Sequence, residues 1–228
     1  AELGFGGYPN MQRELQKMIR SRLTSVQRIE VAKDRMGDQD VLASVLQSDM
    51  EKLRQTLEEV DRESFEQATS ALAGARKIYI VGVRSSQALA VFLHFYLSLI
   101  FDGAVLVSAN SASEVFERLF WVEPEDVVLG ISFPRYSTRT VQAMSFARDR
   151  GATTVAITDS EASPLAAISH YTLTARSDMA SFVDSLSLVN ALLVEVSRKK
   201  DDNLAKTFQS LEKIWEDYGV YQKVVEAP

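Results

Sequence analysis

Residues 76–89 read RKIYIVGVRSSQAL, and this stretch decides the fold. Ile78, Tyr79, Ile80 and Val81 form a short apolar run of β-forming residues that stops at Gly82. After the polar Arg84-Ser85-Ser86, apolar residues recur at helical spacing from Leu89 onward, so the stretch reads as strand, tight turn and helix. In an open α/β sheet such a turn lies at the carboxyl end of a strand, where loop amides and a helix N-terminus direct partial positive charge at an anion. Ser85 and Ser86 are placed to add hydroxyl donors there. Helix capping accounts for both serines equally well while the stretch stands alone.

It is repeated in kind about fifty residues later. Asp126-Val127-Val128-Leu129-Gly130-Ile131-Ser132 is a buried-strand run, and Ser132-Phe133-Pro134-Arg135-Tyr136-Ser137-Thr138-Arg139-Thr140 is a hydroxyl-rich turn entering a helix over 141–150. Thr138 reads as the cap of that helix. Further strands are predicted over 103–107, 153–158 and 171–174. Helices are predicted over 115–119 and 182–196, with a short one after Ser163-Pro164 and a final stripe at Leu204, Phe208, Leu211, Trp215 and Tyr218. Five short strands alternating with helices predict an α/β fold with a five-stranded parallel sheet flanked on both faces. Two helices come first: a long one with its apolar stripe at Val41, Val45, Leu46, Met50, Leu53, Leu57 and Val60, then one over 62–72. They either cover the sheet, cross to a second subunit, or link two domains.

Composition narrows the function classes. The 228 residues carry a net charge of −6 and contain no cysteine and two histidines, which leaves out disulfides, thiol nucleophiles and a cysteine-based metal site. No metal or cofactor is expected. The most apolar run, 92–101, is far short of a membrane span and contains His94, which reads as a core histidine. With no signal-peptide pattern either, a cytoplasmic protein without membrane contact is expected. Residues 1–36 hold seven basic and four acidic residues, leaving about −9 for the remainder, so phosphate backbones would find a partner only at the amino end. The chain opens on Ala1 without a methionine, and a fragment of a longer protein is expected.

The two turns together resemble the phosphosugar pocket of the sugar isomerase (SIS) domain, built from a first loop G-x-G-x-S and a second S-x-S-G-x-T. Gly82, Ser86 and Ser132 match that pattern, Ser137 replaces its threonine, and Arg84, Pro134 and Arg135 depart from it. The opening Leu3-Gly4-Phe5-Gly6-Gly7-Tyr8-Pro9, followed by helical spacing from Asn10 and again over 24–35, resembles the end of the helix-turn-helix domain of RpiR-type transcriptional regulators. That family joins an amino-terminal DNA-binding domain to a carboxyl-terminal SIS domain. The resemblance implies that residues 1–36 end a helix-turn-helix domain and its linker helix, and that 37–228 form an SIS domain with its leading helices; the sequence itself puts the boundary near Met36 to Asp40, where Gly37-Asp38 breaks the helix. It implies a phosphosugar effector, DNA contact through the missing amino-terminal domain, and a homodimer or higher homo-oligomer. A phosphosugar isomerase or related enzyme of the same fold is the alternative.

Carried over residue by residue, the resemblance makes Ser86, Ser132 and Ser137 the phosphate ligands, with Ser85 beside them. Arg84 and Arg135 each stand where the pattern has glycine. A guanidinium fork suits a second anionic group, so a phosphorylated sugar acid joins the plain phosphosugar as an expected effector, while surface arginines or a subunit salt bridge remain the alternative. Glu114, in Ala112-Ser113-Glu114, is similar to a pocket-side acid of the isomerases, and it equally suits the first turn of a helix. Isomerisation needs a convergent acid and base, and with His170 outside both turns no such pair is evident.

Overall fold

The computed structural model describes residues 40–108, 111–176, 181–200 and 203–221. The glycine-rich opening, the helices expected from Asn10 and over 24–35, the break at Gly37-Asp38 and Asn110 lie outside them. Helices α1 (Val41–Glu59) and α2 (Arg62–Gly74) precede the alternating units β1 (Ile78–Gly82), α3 (Gln87–Ile100), β2 (Ala104–Val107), α4 (Ala112–Arg118), β3 (Val127–Ile131), α5 (Thr138–Asp149), β4 (Thr153–Thr158), β5 (Tyr171–Thr174), α6 (Val183–Lys199) and α7 (Asn203–Asp217). Two 3₁₀ turns, Arg84–Ser86 and Ala166–Ile168, stand before α3 and β5. All pairings are parallel, in the order β2-β1-β3-β4-β5.

Strand periodicity divides the core in two. Ile78, Ile80, Val127, Leu129, Ile131, Val155, Ile157 and Leu173 face α2, α3 and α6, where Leu72, Leu93, Leu97, Val189, Leu192 and Val196 are buried. Tyr79, Val81 and Val128 face α4 and α5 through Val115, Ala143, Met144 and Ala147. Both faces are therefore covered, which is why β1 and β3 read as continuous apolar runs. Each fully buried Leu or Ile contributes about 1.5–3 kcal/mol to this packing.

Two close approaches seat the helices that open at the strand ends. A Cβ on Gly82 would lie 2.8 Å from the Ala90 Cβ and 2.8 Å from the Ser86 carbonyl oxygen, so only glycine lets the first turn of α3 fold down on β1. A Cβ on Gly130 would lie 2.7 Å from the Met144 sulfur, and its absence draws α5 onto β3. At the amino ends of the strands, just before β3, Asp126 is fully buried; its carboxylate accepts from Arg76 Nε at 2.9 Å, Arg76 Nη2 at 2.7 Å and the Glu123 amide at 2.9 Å.

The leading helices depart from a simple cap over the core. Asp40 and Asp61 cap them, each accepting from the second and third amides beyond it. In α1, however, Val41, Leu42, Val45, Leu46, Met50 and Leu57 are all exposed, while Thr56 is buried and Leu53 half-buried where the helix packs on α6. The amphipathic stripe exists, and the described residues do not cover it. His94 is half-buried rather than a core residue, because α3 turns Val91, Phe95 and Tyr96 outward beside it. His170 locks two strands together: its Nδ1 accepts from the Thr154 amide at 3.0 Å.

Candidate functional site

The strand order reverses between β1 and β3. In doubly wound sheets that reversal opens a crevice at the carboxyl ends of the two strands, because their outgoing connections run to opposite sides. A cavity of about 710 Å³ lies there, a size suited to a small-molecule ligand. It is lined by Gly82 to Gln87 after β1, Ser132 to Arg139 after β3, Ser108 after β2, and Phe182 before α6. Ser85, Ser86, Ser132, Ser137, Arg84 and Arg135 thus share one cavity.

The serines are not used as caps. Ser86 occupies the N-cap position of α3 and Ser137 that of α5, yet neither side chain makes a capping hydrogen bond. Ser86 is buried, Ser85 is exposed, and neither hydroxyl bonds to a described residue. Ser132 is buried, and its Oγ accepts from the Ser137 amide at 3.1 Å, which folds the second turn back on itself. Thr138 corrects the expectation of a cap: it is the first residue of α5, exposed and among the cavity-lining residues.

Three more side chains shape the walls. The Tyr136 hydroxyl donates to Asp159 Oδ1 at 2.8 Å, tying the second turn to the end of β4. Burial, with the Asp159 carboxylate next to it, pushes the Tyr136 phenol well above the ordinary tyrosine range. Phe133 packs on Phe182 with ring centroids 5.6 Å apart, closing the side toward α6.

The lining is basic within an acidic protein. Arg84, Arg135 and Arg139 contribute three positive charges, and no aspartate, glutamate, histidine or lysine is among the described lining residues. The helix N-termini at Ser86 and Ser137 add partial positive charge. Glu114 is not among these lining residues; it lies in the first turn of α4, where Ser111 Oγ accepts from its amide at 3.2 Å and its carboxylate is 3.8 Å from Arg118. No group of three or more potential metal ligands occurs among the described residues. Nor is any described helix long and apolar enough to cross a membrane.

Sequence reasoning missed Ser108, Tyr136, Phe182 and Arg139. Ser108 and Phe182 carry no local signal, since only the sheet order brings them to the cavity, whereas Tyr136 lies within the second turn itself. Arg139 did carry one: a cation in the first turn of a helix opposes the dipole, and an anion in front of that turn removes the conflict.

A family model described as the SIS domain matches residues 71–195. The sugar isomerase domain of an RpiR transcription factor from Sphaerobacter thermophilus superposes with a TM-score of 0.72 at 30% identity, covering 77% of this chain and 99% of that one. The Vibrio vulnificus NanR protein, solved in complex with ManNAc-6P, shares the fold with a TM-score of 0.70 at 19% identity, covering 95% of this chain and 78% of NanR. Phosphoheptose isomerase from Neisseria gonorrhoeae shares it with a TM-score of 0.61 at 16% identity, over 68% and 97% of the two chains. Among curated relatives, an uncharacterised HTH-type transcriptional regulator of Clostridium perfringens is 21% identical over 87% of this chain and 73% of its own length. Two others, also named HTH-type regulators, match over 59% and 64% of their lengths.

Proposed function

The chain belongs to the SIS domain family, and on that premise we propose that it is the effector-binding part of an RpiR-type transcriptional regulator, with a phosphosugar as its effector. The observation that carries this reading is the switch-point cavity itself, where Ser86 and Ser137 make no capping bond, and Ser132, whose Oγ accepts from the Ser137 amide, still has a proton to donate, beside three arginines. Ser86, Ser132 and Ser137 hold the phosphate, with Ser85 at the rim, and the α3 and α5 N-termini supply amides. DNA is contacted by a helix-turn-helix domain that ends within residues 1–36; the names of the curated relatives support the DNA-binding role. The uncovered stripe of α1 pairs with a second copy of the chain, and the protein works in the cytoplasm. Occupancy reaches α1 through the β5 end, where the Arg176 amide donates to Thr56 Oγ1 at 3.4 Å and its guanidinium pairs with Glu59.

The cavity binds rather than isomerises. Aldose–ketose chemistry needs a base next to the carbonyl and a second group for ring opening, and the described lining offers hydroxyls and permanently charged guanidinium groups instead.

Calorimetry with sugar phosphates and the matching free sugars tests the proposal. Phosphorylated sugars bind and free sugars do not; Ser86→Ala, Ser132→Ala or Ser137→Ala each weakens binding by about one to two orders of magnitude, the loss of one charge-assisted hydrogen bond. Equal affinity for both classes overturns the phosphate role. Exchange of solvent protons into the carbon next to a sugar-phosphate carbonyl, followed by NMR and abolished in Glu114→Gln, establishes an isomerase instead.

A further inference from the structure

The cavity carries more positive charge than a phosphate group requires. A phosphate monoester brings between one and two negative charges at neutral pH, and the serine hydroxyls with two helix N-termini already suit it. The lining also holds three arginines, of which Arg135 engages a further group of the protein, and no described carboxylate is among the lining residues.

Two of these arginines sit on unusual backbone. Arg84 has φ +57° and Arg135 φ +70°, the two non-glycine residues with positive φ among the described residues. Left-handed backbone brings the Cβ of an L-residue too close to the following carbonyl, and glycine adopts it without that penalty. Both strained positions fall on the cavity, one in each of the facing turns, and both side chains are the cations best shaped for a planar carboxylate. Arg84 forms no ion pair with a described residue, so its guanidinium is not consumed by the fold. Strain of this kind, placed at a binding cavity and on charged side chains, is what a specificity device looks like in a rigid scaffold.

We propose that the effector is a phosphorylated sugar acid: its phosphate lies at the serine-bearing turns, and its carboxylate is read by Arg84 and Arg135 across the cavity, with Arg139 adding positive field from the first turn of α5. The proposal rests on the phosphosugar reading of the same cavity, and one titration series separates the two. The probes are two matched pairs that differ in one carbon's oxidation state: 6-phosphogluconate against sorbitol 6-phosphate, and 3-phosphoglycerate against glycerol 3-phosphate. Gluconate is the unphosphorylated control.

With the unaltered chain, the acid of at least one pair binds about ten to a hundred times more tightly than its alcohol, the worth of one charged hydrogen-bonded contact, and gluconate binds no better than sorbitol. Equal affinity within both pairs overturns the carboxylate reading and leaves the phosphosugar reading standing. Failure of all four phosphorylated probes overturns both. In Arg84→Gly and Arg135→Gly the acid-to-alcohol ratio falls toward one. A ratio that stays at its original value while both affinities drop shows that the arginines serve the phosphate, and it too overturns the proposal. Because glycine suits the left-handed backbone at both positions, these variants keep the fold.

Discussion

Gly82→Ala tests how tightly the site depends on one close approach. The added Cβ meets the Ala90 Cβ and the Ser86 carbonyl oxygen, both at 2.8 Å, and ordinary contact begins near 3.4 Å. Neither neighbour is the end of a flexible side chain: one is a fully buried atom of α3, the other is backbone. The turn must therefore open by about 0.6 Å, lifting the start of α3 from β1 and carrying Ser86 with it. Overpacking of this kind costs about 1–3 kcal/mol, partly offset by the roughly 0.4–1 kcal/mol that alanine gains by restricting the unfolded chain. A net loss of about 1–2 kcal/mol is expected in urea unfolding followed by circular dichroism, with phosphosugar affinity down by about tenfold or more in calorimetry. Gly74→Ala is the matched control, since nothing lies within 4 Å of its added Cβ in the last turn of α2. Its expected effect is a gain of up to about 1 kcal/mol with binding unaltered. Gly82→Ala as stable as the parent, and binding as tightly, refutes the claim that this glycine positions the site.

Arg84→Gly removes a left-handed strain of about 1–2 kcal/mol and gives back part of it as unfolded-chain freedom, so the melting temperature rises by about 1–3 °C while the binding contribution is lost; scanning calorimetry without ligand reads the first effect. Asp126→Ala leaves the Glu123 amide without its acceptor and lowers stability by about 1–3 kcal/mol. Arg76→Ala strands a fully buried carboxylate and lowers the urea midpoint further. The Tyr136 phenol titrates above an unfolded tyrosine, so its contribution is fully present below about pH 10 and is lost as pH climbs toward the folded value. Ultraviolet titration of Tyr136→Phe therefore loses a late-ionising tyrosine, and the stability of this variant falls less steeply in alkali.

The alternation of strand and helix was legible from the sequence because it is written locally: a continuous apolar run in a strand buried on both faces, a 3.6-residue stripe in a helix, and a polar turn between them. Strands β1 to β5 lie where those runs placed them, with ends shifted by a residue at most. The two serine-bearing turns were legible for the same reason, and resemblance to a two-loop pattern placed them in a single site before any sheet order was known. Only the tertiary structure decided the rest, since strand order depends on pairings between segments far apart in the chain, which no local propensity encodes. The order β2-β1-β3-β4-β5 puts the reversal between β1 and β3, and that reversal makes the cavity and recruits Ser108 and Phe182 to its walls. The same packing leaves Glu114 on α4 outside the described lining, turns the α1 stripe away from the described core, and holds Arg84 and Arg135 in a left-handed backbone that their side chains alone disfavour. A residue's type sets the cost of a conformation, and the closure of the surrounding turn determines whether that cost is met.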